Sequence, residues 1–296
     1  MKGLIKVLKF ISNHPISGRS KLQSILRFTW WQFRCMLTDK DYHHQFTEHS
    51  KLIVSKGMTG ATGNLYCGLH EYKEMMFLLH YLRKNETFVD IGANIGSFTL
   101  LASAEIVAKS YSIEPVSSTF QQLSKNILLN KISDLCILKN IGLASQKGEL
   151  FFSNGDDSSM NHVLLNNEES NNSSKVIVDT LDSILINSIP TLLKIDVEGF
   201  ELEVLKGASK TLSNPELKAI IIELNRSGSI YGYSDAEIDM MLKDLGFESY
   251  TYEPFQRSLM KAMLHDFDNL IYIRDFDIVS NKLKSATKVK ILNLEI

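Results

Sequence analysis

Acidic side chains recur where apolar runs end in this chain. Asp90 closes TFVD, Glu114 closes YSIE, Asp196 closes LLKID and Glu223 closes AIIIE. In KIDVEG the acid is joined by Lys194 and Glu198, and Asn225 follows Glu223 by two residues. Short runs rich in β-branched and aromatic residues read as buried strands. Charges gathered at their ends are hard to desolvate, so they must be paired or must border a site. Carboxylates in that position can attract a cation, accept hydrogen bonds from hydroxyls, take up a proton or hold a divalent metal.

The segment after Asp90 is built from turn residues. In Asp90-x-Gly92-x-Asn94-x-Gly96 the small residues tolerate positive φ or close backbone approach. Ser97 to Glu105 reads as a helix whose first N–H groups face whatever the loop holds. This is not the dinucleotide fingerprint, because an acid precedes the first glycine and no G-x-G-x-x-G follows, which argues against NAD. Glu114 stands 24 residues after Asp90 (114 − 90), where one carboxylate can accept both hydroxyls of a ribose. Asn140, Ile141 and Gly142 end the next strand, over 135–138, and are expected beside an adenine.

The elements that must position these residues alternate. Strands are expected at Thr87–Ile91, Tyr111–Glu114, Leu135–Leu138, Thr191–Asp196 and Lys218–Glu223, with helices at Ser118–Asn130, Glu201–Leu212 and Asp235–Leu245. Strands near Glu248–Tyr252 and Leu270–Arg274 would close the sheet as an antiparallel pair. The sum is an α/β fold, a doubly wound parallel sheet with its site at the carboxyl ends of the strands. A helix over Gly68–Arg83 would cross the loop and bring His70, Glu71 and Tyr72 to the rim or simply pack them. Between β segments at Glu149–Phe152 and Lys175–Thr180, the polar stretch 153–174 reads as a long loop. It offers Ser158, Ser159, Asn161 and His162 as substrate contacts, and His162 as a solvated side chain or an acid–base group. Tyr231, Tyr233 and Phe255 could stack on a sugar ring or pack in the core.

Composition bounds the rest. The chain has 296 residues, 44% hydrophobic and 22% charged, ordinary for a globular α/β domain with an extension. A net charge of −2 argues against nucleic-acid binding over the whole surface. Cys35, Cys67 and Cys136 are scattered, which suggests a reducing, cytoplasmic setting. No apolar run approaches the roughly 20 residues of a spanning helix, and MKGLIKVLKFI is too interrupted by lysines for a secretion signal. Residues 1–34 hold seven basic residues and no acid, and their apolar residues fall at helical spacing in two runs. Such helices could lie on an anionic membrane or pack against the rest of the chain. We divide the chain into a basic helical extension (1–65), a central domain (66–280) and a basic tail (281–296). Residues 35–65 look irregular, and His43, His44 and His49 read there as solvated, since no Cys or acid completes a metal set.

FVDIGANIGSFT, SIEPVSSTF, VDTLDS, LLKIDVEGFELEVLKGA and IIIEL, in this order, resemble the FkbM-type methyltransferases, a branch of the class I S-adenosylmethionine-dependent enzymes. The likeness runs over about 66–275. It implies a seven-stranded Rossmann-like sheet, S-adenosyl-L-methionine as cofactor, and O-methylation of a small-molecule or glycan acceptor, a sugar, polysaccharide or other secondary metabolite. By position, Asp90, Gly92, Asn94, Gly96 and Ser97 would form the cofactor loop, with Glu71, Asn140 and Ile141 near it and Glu114 on the ribose. Lys194, Asp196 and Glu198 would border the reaction centre, with Asp196 as base or orienting acceptor. A divalent metal on Asp196, Glu223 and Asn225 is the less favoured mechanism. The rival functions are a non-catalytic S-adenosylmethionine-binding scaffold and an NAD-linked oxidoreductase.

Overall fold

The computed structural model describes residues 2–153, 162–164 and 173–296. Helices α1 (Lys2–Asn13) and α2 (Lys21–Leu37) lead to a hairpin of β1 (Tyr42–Gln45) and β2 (Lys51–Val54). Helices α3 (Thr59–Cys67) and α4 (Tyr72–Tyr81) follow, and then β3 (Thr87–Ile91), α5 (Ser97–Leu100), β4 (Lys109–Ile113), α6 (Ser117–Leu129) and β5 (Cys136–Lys139). A small sheet comes next, formed by β6 (Gly142–Leu143), β7 (Gly148–Ser153) and β8 (Ser173–Asp179). The chain continues through α7 (Leu181–Ile184), β9 (Leu192–Ile195), α8 (Glu201–Lys206), α9 (Ser209–Ser213) and β10 (Ala219–Glu223). It ends with α10 (Asp235–Asp244), β11 (Glu248–Glu253), β12 (Ser258–Lys261), β13 (Asn269–Ile273), α11 (Phe276–Lys284) and a hairpin of β14 (Lys290–Ile291) and β15 (Leu294–Glu295).

The main sheet runs β12-β11-β13-β10-β9-β3-β4-β5. Its five strands from β10 to β5 are parallel, and β13, β11 and β12 are antiparallel. This is the doubly wound α/β sheet expected, with one strand beyond seven. The extra strand, β12, is an edge strand of half-exposed residues whose sequence, SLMK, carries no strong strand signal. Strand β9 is buried on both faces, as a central parallel strand must be.

Three local readings differ from the sequence expectation. The helix expected over Gly68–Arg83 starts only at Tyr72, because Gly68 (φ +86°) ends α3 and the His70 N–H is taken by Asn64 Oδ1 at 2.7 Å. The helix expected over Glu201–Leu212 breaks at Gly207, where a Cβ would lie 2.1 Å from the Ala144 carbonyl oxygen. Residues 35–65 are ordered into the first hairpin and α3. Asn126 Oδ1 accepts the Ile53 N–H at 2.8 Å, and Asn130 Oδ1 accepts that of Lys51 at 2.7 Å, so α6 fastens the hairpin through side-chain amides. His43 and His49 are exposed, but His44 is buried, and burial lowers its pKa to about 4.

Both ends of the chain share the core of the sheet. Ile11, Phe28 and Trp31 from the amino-terminal helices, and Val289, Ile291 and Ile296 from the last hairpin, are buried in one apolar cluster with Phe88 and Leu192. The segment 281–296, read as a basic tail, therefore packs as structure. His80 on α4 links the two ends, bonding Tyr252 Oη at 2.7 Å and the Ile296 carbonyl at 3.3 Å.

Candidate active site

The carboxyl ends of β3, β4, β9 and β10 surround a cavity of about 280 Å³, closed on one side by α3 and the start of α4. The β3 loop is shaped by backbone constraints. Gly92 has φ +75°, and a Cβ there would lie 1.8 Å from the Asp196 carbonyl oxygen, so this close meeting of the β3 and β9 ends requires glycine. Gly92 and Ala93 N–H groups both donate to the Ile113 carbonyl at 3.0 Å. Asn94 (φ +50°) turns its N–H to Glu114 Oε2 at 2.9 Å, while Val116 N–H donates to Oε1 at 2.9 Å. Each oxygen of Glu114 keeps lone-pair capacity for a hydroxyl.

Among the described residues six carboxyl side chains line the cavity, those of Glu71, Asp90, Glu114, Asp196, Glu198 and Glu223, against a single lysine, Lys194. Lys194 is buried, with Nζ 2.7 Å from Asp196 Oδ2 and 4.7 Å from the centre of the Phe98 ring. Burial opposes its charge, but Asp196, Glu71 and Asp90 outweigh that and hold it protonated. Asp90 is sealed in, accepting from Thr99 Oγ1 at 2.7 Å, and burial raises its pKa against the pull of Lys194. Burial pushes Glu114 up to about 7 despite its two backbone donors, and pushes Glu71 up to about 7 despite Lys194. Glu223 rises to about 9, first through burial and then through Asp196 and Glu198. Glu71 Oε2 and Glu223 Oε2 are both buried without a hydrogen-bond partner. Buried acceptors of that kind mark places where a positively charged donor group would fit.

Glu198 (φ +53°) and Gly199 (φ +98°) turn the chain sharply after β9. A residue that sequence reasoning missed holds this turn: Glu201 Oε1 accepts the N–H groups of Val197 at 3.2 Å and Gly199 at 3.1 Å. Its signal was an acid in the first turn of a helix behind a glycine. Asn64 was also missed, because nothing in TGATGNLYC marks a site; its Nδ2 donates to Ser97 Oγ at 3.1 Å. The carboxylate oxygens of Asp196, Glu198 and Glu223 lie within 4.8 Å of one another, so these three could hold a cation among the described residues. Asn225 does not line the cavity, and its Oδ1 accepts the Ser227 N–H at 2.9 Å.

The cavity brings together Glu71, Asp90, Gly92, Asn94, Ser97, Glu114, Ile141, Lys194, Asp196, Glu198 and Glu223. Gly96, Asn140 and Asn225 do not line it. Gly96, left-handed at φ +89°, starts α5, and Asn140 donates to the Glu114 carbonyl at 2.8 Å, bracing the β4 end from behind. His70 lines the rim, and Tyr72 does not. His162 bonds back to Ser153, while Ser158, Ser159 and Asn161 lie outside the described residues. Tyr233 is spent on structure, with its hydroxyl donating to the Gly199 carbonyl and accepting from the Leu202 N–H. Tyr231 donates to the Val163 carbonyl at 2.8 Å, and Phe255 lies under the Arg19 guanidinium at 3.9 Å.

A sequence model described as the methyltransferase FkbM domain matches residues 90–249, a little over half of the chain and the whole run of strand ends from Asp90 to Glu223. The chain belongs to the FkbM methyltransferase family. One relative within reach of this FkbM chain is the hexuronic acid methyltransferase AglP of Haloferax volcanii, 27% identical over 155 residues, which are 52% of this chain and 62% of AglP. The chain thus spans about three-fifths of the length of the curated relative it matches. Solved structures overlap it loosely. TYW2 of Pyrococcus horikoshii, in complex with MeSAdo, is 14% identical with a TM-score of 0.42, over 79% of this chain and 70% of that one. An rRNA methylase of Streptococcus thermophilus is 14% identical with a TM-score of 0.38, over 67% and 91%. The FkbM match begins at the acid that opens the cavity and leaves residues 1–89 outside it.

Proposed function

We propose that this FkbM-family protein is an S-adenosyl-L-methionine-dependent O-methyltransferase acting on a hydroxyl of a sugar or polysaccharide. The observation that carries the reading is the acidic lining of the cavity, six carboxyl side chains against one ammonium among the described residues, with the Glu71 oxygen buried and unpartnered. Such a pocket suits a donor bearing a sulfonium and an ammonium and repels a pyrophosphate. Glu71, Asp90 and the backbone of 92–94 would hold the methionine end, and Glu114 the ribose. When bound, the donor supplies an electrophilic methyl group for in-line displacement. Asp196 then orients the acceptor hydroxyl and takes its proton, with Lys194 fixing the carboxylate. Glu201 keeps the Val197–Gly199 turn in place, and Phe152, Val163 and Phe200 give the cavity an apolar side that excludes water. A sugar acceptor is supported by AglP, whose name specifies a hexuronic acid.

Calorimetry with S-adenosylmethionine and its demethylated product tests the donor. Incubation with labelled donor and a panel of hexuronic acids, neutral sugars and oligosaccharides tests the acceptor. We expect micromolar donor binding and label on at least one sugar; a nicotinamide cofactor bound in its place overturns the reading, and donor uptake without transfer to any acceptor favours a scaffold. One observation supports a second mechanism. Asp196, Glu198 and Glu223 crowd three carboxylates together, and a divalent cation there would relieve the crowding that raises Glu223 and would acidify the acceptor. Full turnover after exhaustive chelation excludes it.

A further inference from the structure

Helix α2 presents two unlike apolar faces. Its inner face, with Phe28 and Trp31, is buried in the core, and Ser24 is sealed beside them. Its outer face carries Leu22, Leu26, Trp30, Phe33, Met36 and Leu37, each large, apolar and exposed, with Met36 at 81% and Leu22 at 72%. At 100° per residue these six fall within a stripe of roughly 120°, opposite the buried one. Scattered exposed apolar residues are ordinary, but a continuous stripe of six along one helix marks a surface that something covers.

Charge identifies the cover. Residues 1–38 carry seven lysines and arginines and no acid, a formal +7, so the remaining residues sum to −9 (−2 − 7). Lys21 and Arg34 flank the stripe on α2. Lys6 and Lys9 are exposed on α1, which packs beside α2 and exposes Ile5 as well. A two-fold pairing of this face with itself would set its exposed lysines, Lys6, Lys9 and Lys21, against their own copies with no acid from residues 1–38 between them, which tells against a symmetric dimer. An apolar stripe bordered by lysine and arginine, with a tryptophan along its edge, matches a membrane surface whose headgroups are anionic. No described helix is long and apolar enough to cross a bilayer, so the contact is one of lying on it. We propose that the outer face of α2 docks the protein on an anionic lipid bilayer.

The two tryptophans make the test direct. Trp31 is 4% exposed and Trp30 42%, so an emission change on adding vesicles reports Trp30. The full chain is mixed with vesicles of phosphatidylcholine alone, or of phosphatidylcholine with phosphatidylglycerol, and floated through a density gradient. We expect flotation with the phosphatidylglycerol vesicles and little with the neutral ones, a blue shift lost in Trp30→Phe, and weakening by salt. The pair Leu26→Ser and Phe33→Ser should lower partitioning at least about tenfold, since a buried side chain of that size is worth that much or more. Lys6→Gln and Lys9→Gln should each lower it about fivefold. An unchanged melting temperature of the Leu26→Ser, Phe33→Ser variant in vesicle-free buffer separates a lost contact from a lost fold. No flotation, or equal binding to both vesicle types, overturns the proposal. So does a solution dimer of the parent chain that this variant dissociates, which would assign the face to a second copy.

Discussion

Asp90, Glu114 and Lys194 are nearly sealed from water at the ends of the central strands, whereas Leu26 and Phe33 stand mostly in water on α2. Each region inverts the usual rule of burial, one by hiding charge and the other by displaying apolar surface. Their supports differ accordingly. The buried charges are held by fixed backbone donors and by neighbouring strands, so their positions are tightly determined. The exposed stripe is held by the helix whose other face is buried and, at its edge, by Tyr42, whose ring meets that of Trp30 at 4.9 Å. A region that hides unsatisfied groups is built to receive a ligand in a defined geometry, and a region that shows an apolar stripe is built to meet a surface without one.

The largest effect should come from the hidden region. Asp196→Asn keeps the shape but removes the proton acceptor we propose, and turnover should then fall about a hundred- to ten-thousandfold. Donor affinity measured by calorimetry should change by only a few fold, because Glu71, Asp90 and Glu114 remain. Turnover near that of the parent would remove Asp196 from the chemistry. The comparison can then be sharpened within α2 itself. Trp31→Ala, on the inner face, should cost about 3–5 kcal/mol in urea unfolding. Phe33→Ser, two residues on and exposed, should stay within about 0.5 kcal/mol. Equal losses would mean that both faces are packed.

Much of this was legible in the sequence, and the reason is local. Strands β9 and β10 announce themselves because a parallel strand buried on both faces must be nearly continuously apolar, and an acid at the end of a strand is conspicuous. That logic found Asp90, Glu114, Asp196 and Glu223, all four of which line one cavity. It could not find Asn64, which bonds the His70 N–H and the Ser97 hydroxyl, or Glu201, which holds the N–H groups of the turn just before it. It misplaced Asn225 because two residues past a strand end the chain may turn either way, and here it turns into its own loop. The first hairpin was hidden for a similar reason: β1 and β2 are four residues each, and their edge is satisfied by Asn126 and Asn130, far along the chain.

Gly92 tests how tightly the hidden region is determined. Gly92→Ala adds a Cβ to a left-handed backbone with the Asp196 carbonyl 1.8 Å away, so the β3 and β9 ends must part. A loss of about 1–3 kcal/mol in unfolding free energy is expected, together with loss of donor binding. Tolerance of alanine with donor affinity intact would show that the strand ends are not pinned there.

The most diagnostic effect is in pH. Glu71, Glu114 and Glu201 each sit at about 7 in the fold, raised mainly by burial, against an ordinary value of 4.5. The folded state therefore binds more protons than the unfolded one, and stability falls as pH rises through 7. His14, His44 and His80, lowered by burial to about 4, act only below their ordinary 6.5, where protonation favours unfolding. Between pH 6.5 and 8 the three glutamates act together with Glu223, which burial, Asp196 and Glu198 hold at about 9, and the combined loss should be roughly 4 kcal/mol, read as a melting temperature lower by several degrees at pH 8. A donor whose ammonium meets Glu71 holds that carboxylate ionised, so saturating S-adenosylmethionine should flatten the slope. For the same reason donor affinity should fall by up to about tenfold per pH unit below 7, and Glu71→Gln should bind weakly at every pH with that dependence gone. The exposed face of α2 contains no group that titrates in this window, so vesicle binding should be level from pH 6.5 to 8, and a shared pH dependence would mean that the two regions are coupled.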